Sequence, residues 1–319
     1  IQQHNMYGVR KLRSYINNSP IRKAIYNRIN PVITDVSLRD GLQGMSTEAI
    51  NLSEKISIFH DIHSNNIATN IEVGSIVNTK YVPVMSDVPT LYNYCGEFID
   101  DFYTNYRPNL HIIVPNLKYL KKACKQNMNH FAFLSSVSND FQKRNANMSL
   151  VQVKNELDRM VDYLNINNVE GYKKLYLSCV DTCPFQGKID NNMIGNEIVY
   201  YSEMGSFDEI CLSDTCGQLS LKNFKEIVAI CQSEKIQMSK ISLHLHVSPY
   251  NNQLENIIRY ALNNKIHRFD LSLLSGGGCH MTLEEENSFQ NLNYELFYSI
   301  LAKYIDELAD KQVYNCLKN

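Results

Sequence analysis

A chain of 319 residues is long enough to bury one large α/β core or two smaller ones. Its 31 basic and 33 acidic side chains leave a formal net charge of −2, which gives no overall electrostatic case for a nucleic-acid partner, and none is expected. No apolar run approaches the roughly 18 residues of a membrane span, so a soluble chain with no membrane partner is expected.

The first thirty residues form a basic segment. No Asp or Glu precedes Asp35, whereas Arg10, Lys11, Arg13, Arg22, Lys23 and Arg28 all fall before it. An acid-poor, Arg-containing leader can address an organelle; the same composition suits a basic helix lying on the following domain. The nine cysteines are odd in number and form no CxxC pair, which favours reduced, mostly buried thiols. A cytoplasmic location is therefore expected, with the mitochondrial matrix as the alternative.

From residue 31 to 319 the pattern reads as one domain. Runs rich in Val, Ile, Leu and Phe at 32–37, 70–73, 110–114, 131–135, 174–179, 209–213, 241–247 and 268–274 suit strands buried on both faces. Between them, 48–64, 150–165, 221–234 and 253–263 carry apolar residues at helical spacing, and 291–317 predicts a long terminal helix. The stretch 86–109, rich in Tyr and Asp, shows little periodicity. Strand followed by helix, eight times over, predicts an α/β fold: a TIM (β/α)8 barrel with a C-terminal helical extension.

In that fold the active site lies where strands end and the following loops begin. The first strand runs into Asp35-Val36-Ser37-Leu38-Arg39-Asp40-Gly41-Leu42-Gln43. Asp40 could ligate a hard cation and Arg39 could donate to a developing oxyanion, with Gly41 supplying a positive-φ bend; an exposed Arg-Asp pair before a turn is the plainer alternative. His244 and His246 sit two apart on the seventh strand, so both imidazoles share a face, as metal ligands or as buried structural histidines. Glu72 ends the second strand and Asp214 the sixth. Ser275-Gly276-Gly277-Gly278-Cys279, after the eighth, suits a phosphate cradle, a plain flexible loop, or a lid carrying a reactive thiol.

These residues together resemble the HMG-CoA lyase branch of the DRE-TIM metallolyase superfamily. The likeness extends from about Val32 to about Ala302. Arg39-Asp40-Gly41-Leu42-Gln43 matches the first-strand motif, and Ile71-Glu72-Val73 the second-strand carboxylate. Pro115-Asn116-Leu117-Lys118 and Ser178-Cys179 with Cys183-Pro184-Phe185-Gln186-Gly187-Lys188 are similar to segments of the lyase branch. Asp214-Thr215 with Gly217, His244-Leu245-His246 and Gly277-Gly278-Cys279 complete the set. The resemblance implies that Asp40, His244 and His246 bind Mg²⁺ or Mn²⁺, joined by Asn291, with Asn287 as its rival. It further implies catalytic roles for Arg39, Glu72, Asp214 and Cys279, and substrate contacts from Arg39 and Gln43.

The implied reaction is cleavage of 3-hydroxy-3-methylglutaryl-CoA, or a related acyl-CoA, to acetyl-CoA and acetoacetate, in a protein that is often a homodimer. The alternatives are a Claisen-condensing acyltransferase of the isopropylmalate or homocitrate synthase type, and a catalytically degenerate barrel acting as a binding protein. Two stretches depart from the branch. Val247-Ser248-Pro249 follows the second histidine in place of the usual acid, and Cys279-His280-Met281-Thr282 replaces the usual Cys-Pro-Tyr-Ala.

Overall fold

The computed structural model describes residues 6–43, 45, 50–101, 105–249, 251–274 and 289–318. Twelve strands appear among them: β1 (Val32–Asp35), β2 (Asn70–Ser75), β3 (Asn109–Ile113), β4 (Phe131–Ser136), β5 (Lys173–Ser178), β6 (Thr182–Cys183), β7 (Gly187–Lys188), β8 (Glu209–Ser213), β9 (Ile241–His244), β10 (His246–Val247), β11 (Arg268–Leu271) and β12 (Gln290–Asn291). The helices among them are α1 (Met6–Asn17), α2 (Pro20–Ile29), α3 (Leu52–Asn65), α4 (Val88–Asp101), α5 (Leu117–Cys124), α6 (Asn139–Ala146), α7 (Leu150–Ile166), α8 (Asn191–Met204), α9 (Leu221–Ser233), α10 (Leu254–Asn263) and α11 (Tyr294–Lys318).

Eight strands close a parallel barrel in the order β1-β11-β9-β8-β5-β4-β3-β2. This is the TIM barrel that the alternating pattern predicts. β2 and β8 are buried along their whole length, as strands covered by helices outside and side chains inside must be. Local signals start the helices: the Asn51 side chain accepts from the Glu54 amide while the Glu54 side chain accepts from the Asn51 amide, and Ser149 with Gln152 repeats the box before α7.

Three boundaries differ from the sequence reading, each for a physical reason. The stretch with little periodicity contains α4, whose buried side is carried by only Val88, Leu91, Cys95 and Ile99. The seventh run is two strands rather than one: β9 stays in the barrel, and β10 leaves it to pair antiparallel with β12. Pairing of His246 with Asn291 and of Val247 with Gln290, far apart in the chain, is invisible to local pattern. The first helix window starts later, at Leu52, because Asn51 caps it.

The basic N-terminal residues fold as α1 and α2, which pack on each other and on α11. Val9, Ile16, Ile25 and Ile29 are buried there. Arg13 Nη1 donates to the carbonyls of Asn65 and Asn66, both at 2.9 Å, meeting the negative end of α3. Arg22 Nε pairs with Asp306 of α11 at 2.7 Å.

Candidate active site

After β1 the chain turns through 36–43, where the Gly41 amide donates to the Val36 carbonyl at 3.1 Å. A side chain at 41 would place its Cβ 2.7 Å from the Ser37 carbonyl oxygen. Gly41 is thus required by close approach of backbone; it is not among the positive-φ glycines, contrary to the expectation from sequence. The turn sends both members of the Arg39-Asp40 pair inward, with 7% and 5% of their surfaces exposed, which rules out a solvent-exposed pair. Arg39 Nε donates to Glu72 Oε2 of β2 at 2.8 Å, and its Nη1 donates to Asp40 Oδ1.

His244 and His246 are held so that one ring atom of each points at Asp40. His244 Nδ1 is 3.2 Å from Asp270 Oδ2, and His246 Nδ1 is 2.9 Å from the Asp214 carbonyl oxygen. Carboxylate and carbonyl oxygens only accept, so both Nδ1 atoms carry the proton and both Nε2 atoms present a lone pair. Those Nε2 atoms lie 3.8 and 3.9 Å from Asp40 Oδ2. His246 Nε2 is buried with no hydrogen-bond partner among the described residues. One ligand atom from each of the three residues falls within 4.8 Å of the others. A carboxylate and two oriented imidazoles converging on one point, each backed by an acceptor behind Nδ1, is the donor set of a divalent-cation site. The residues present therefore fit a divalent cation. β12 places Asn291 beside them, its Nδ2 donating to Asp40 Oδ2 at 2.9 Å.

Burial and neighbouring charges act differently on each group. Burial opposes ionisation of Asp40, but Arg39, His246 and His244 hold its carboxyl well below the usual range. Burial likewise pulls His244 down, so it stays neutral, with Asp270 opposing. His246 is raised despite burial, because Asp40 faces it. Burial pushes the Asp214 carboxyl up to about 6, opposed chiefly by the Leu219 amide, His246 and the Gln218 amide.

The remaining candidate residues separate. Gln43, Arg39 and Asp40 line a cavity of about 550 Å³ in the barrel mouth, with an apolar wall that includes Val82, Met85 and Leu134. Glu72 is fully buried behind Arg39. Asp214 does not line the cavity; its carboxylate accepts the Gln218 and Leu219 amides at 2.9 and 3.0 Å, and only its carbonyl serves the site, through His246. Asn116 lines the cavity and caps α5 through the Tyr119 amide. Cys279, with the glycines before it, and Asn287 lie outside the described residues.

Sequence reasoning missed Lys174, Tyr176 and Asp270. Tyr176 donates to Glu72 Oε1 and approaches Asp270 Oδ2, both at 2.6 Å, and Lys174 Nζ lies 2.5 Å from Asp270 Oδ1. The signal was present: polar residues at alternate positions of otherwise apolar strands, Lys174, Tyr176 and Ser178 on β5, Asp270 and Ser272 at the end of the barrel run.

Comparison with known proteins agrees with this geometry. A family model described as HMGL-like matches residues 30–248, more than half of the chain. The 3-hydroxy-3-isohexenylglutaryl-CoA/hydroxy-methylglutaryl-CoA lyase of Pseudomonas aeruginosa is 28% identical over 250 residues, covering 77% of each protein. The mitochondrial hydroxymethylglutaryl-CoA lyase of Macaca fascicularis is 27% identical over 247 residues, 77% of this chain and 71% of that one. The crystal structure of the HMG-CoA lyase from Brucella melitensis superposes with a TM-score of 0.73 at 20% identity, over 90% of this chain and 98% of that one, which shows the shared fold. A barrel with this mouth, matched along most of its length by the family model, belongs to the HMGL-like family and is an HMG-CoA lyase-like protein.

Proposed function

We propose that the protein is a divalent-metal-dependent carbon–carbon lyase that cleaves 3-hydroxy-3-methylglutaryl-CoA, or an acyl-CoA with the same 3-hydroxy acid, to acetyl-CoA and acetoacetate. The observation that carries this reading is the convergence of Asp40, His244 and His246 on one point, next to an Arg39 held by Glu72. The names of the relatives support the substrate class.

A bound Mg²⁺ or Mn²⁺ would supply Lewis-acid chemistry, orienting the 3-hydroxyl with a neighbouring carboxylate oxygen and making that hydroxyl more acidic. The chain's own residues do the rest. Asp40, His244 and His246 hold the cation, and Asn291 braces Asp40 and is proposed to complete the ligand set. When the hydroxyl gives up its proton, its electrons form the ketone of acetoacetate and the C2–C3 pair moves to the thioester side. Arg39 has five N–H donors and spends two on Glu72 and Asp40, which leaves others for the enolate oxygen that forms there. Cys279 is proposed to protonate C2, and Gln43 to contact the substrate in the cavity. The carboxyl of Asp214 accepts the Gln218 and Leu219 amides and so braces the turn after β8 whose carbonyl orients His246.

The first arginines of the chain are engaged in packing, Arg13 with α3 and Arg22 with α11. That use supports the reading of residues 6–29 as basic helices lying on the following domain.

A coupled acetoacetate assay in the presence of Mg²⁺ or Mn²⁺ tests the proposal. Turnover is expected for the wild type. His244→Ala is expected to abolish Mn²⁺ binding and lower turnover by at least ~100-fold. Absence of turnover on every 3-hydroxy-3-methylacyl-CoA overturns it, and CoA release that requires a 2-oxo acid would assign the condensing reaction instead.

A further inference from the structure

Two carboxylates of the barrel interior share one hydroxyl. Glu72 and Asp270 come from strands β2 and β11, and Tyr176 from β5 stands between them, its oxygen 2.6 Å from each. Each carboxylate has a cation of its own: Arg39 Nε on Glu72 at 2.8 Å, and Lys174 Nζ on Asp270 at 2.5 Å. Lys174 also reaches Glu209 Oε1 at 3.2 Å, so the ammonium takes up the centre of the buried Glu209, Cys211 and Asp270 group. All these side chains except Arg39 are at most 3% exposed.

This array runs unbroken from one half of the site to the other. At one end Glu72 fixes Arg39, the group that faces the developing negative charge. At the other, Asp270 accepts from His244 Nδ1 and so keeps Nε2 aimed at Asp40. The Tyr176 ring also meets both ends, lying edge-on to His244 at 5.8 Å between centroids and 5.2 Å from the Arg39 guanidinium carbon. Without the hydroxyl, Glu72 and Asp270 would face each other as two like charges in a dry interior, and each would turn toward its own cation.

We propose that Tyr176 is a positioning residue that sets Arg39 and His244 relative to one another, so that cation binding and stabilisation of the enolate are fixed by one shared hydroxyl. The inference rests on the metal-dependent reading above.

Tyr176→Phe keeps the ring and removes only the oxygen. Mn²⁺ affinity, measured without substrate, is expected to fall about tenfold or more, and kcat to fall more than KM rises. A double-substitution cycle on Mn²⁺ affinity reads the coupling itself: Glu72→Gln should weaken Mn²⁺ in the wild-type background and have little further effect beside Tyr176→Phe. Wild-type Mn²⁺ affinity in Tyr176→Phe, or effects that simply multiply, overturns the inference while leaving the lyase reading intact. A wild type that binds no Mn²⁺ overturns that reading and the inference with it. Should Tyr176→Phe not fold, Glu72→Gln alone decides. A shift of the ¹⁵N signals of the His244 ring supports the coupling, and unmoved signals overturn it.

Discussion

Burial sets the charge of Asp35 against its own hydrogen bonds. Its carboxylate accepts from the Ser37 amide at 2.8 Å and from the Tyr294 hydroxyl at 2.7 Å, yet desolvation prevails and its carboxyl is pushed up to about 6. An acid whose folded pKa exceeds its unfolded value stabilises the fold below the unfolded pKa and loses that contribution as pH rises through the folded one. Between about pH 4 and pH 6 the protein should therefore lose stability on the order of 2–3 kcal/mol from this residue. Asp35→Asn should remove that part of the pH dependence in urea unfolding series; an unchanged pH profile would show that Asp35 ionises freely in the fold. At this scale the sequence was informative about groups at strand ends. Arg39, Asp40, His244 and His246 were legible because the barrel's geometry says where to look. Asp270 and Tyr176 showed only as polar positions in apolar runs, because their value comes from partners 94 and 104 positions away in the chain. Asp214 shows the converse: its position was readable, but the direction of its carboxylate depends on a turn that sequence spacing does not specify.

The strands hold the site by how they begin as much as by how they end. β5 carries Lys174 and Tyr176, and the chain enters it through Gly171, where a Cβ would lie 1.7 Å from the Asn129 carbonyl oxygen. That neighbour is backbone and cannot swing aside. Gly171→Ala should cost about 1–3 kcal/mol in chemical unfolding and shift the start of β5 against β4; a wild-type midpoint would mean that the loop relaxes freely. Periodicity located the elements well where they are long and amphipathic, as in α7. It failed at α4, whose aromatic and acidic residues dilute the apolar stripe, and at the break between β9 and β10, which is set by pairing with β12.

For the molecule as a whole, the barrel is closed on one side by helices from both ends of the chain. α1 and α2 cover α11, with Val9, Ile16, Ile25 and Ile29 buried in the contact region. Each buried aliphatic side chain is worth about 1.5–3 kcal/mol, so this cap contributes to the stability of the whole domain. A chain shortened to begin at Pro31 should melt at least ~5 °C lower and bind an apolar dye more strongly. An unchanged melting temperature would make the two helices an appendage. Among the described residues no helix is long and apolar enough to cross a membrane, in line with the hydropathy of the sequence.

The pairing of β10 with β12 ties a late stretch of the chain to the strand run that carries both histidines. His246 faces Asn291 across that ribbon, the Leu292 amide bonds the Leu245 carbonyl at 3.0 Å, and the Ser272 amide bonds the Leu292 carbonyl at 3.0 Å. The described chain on either side of 275–288 is thereby stitched together and to His246, one of the three residues that converge on the candidate cation site. A perturbation of β12 therefore reaches His246 directly through backbone pairing, without passing through the barrel strands.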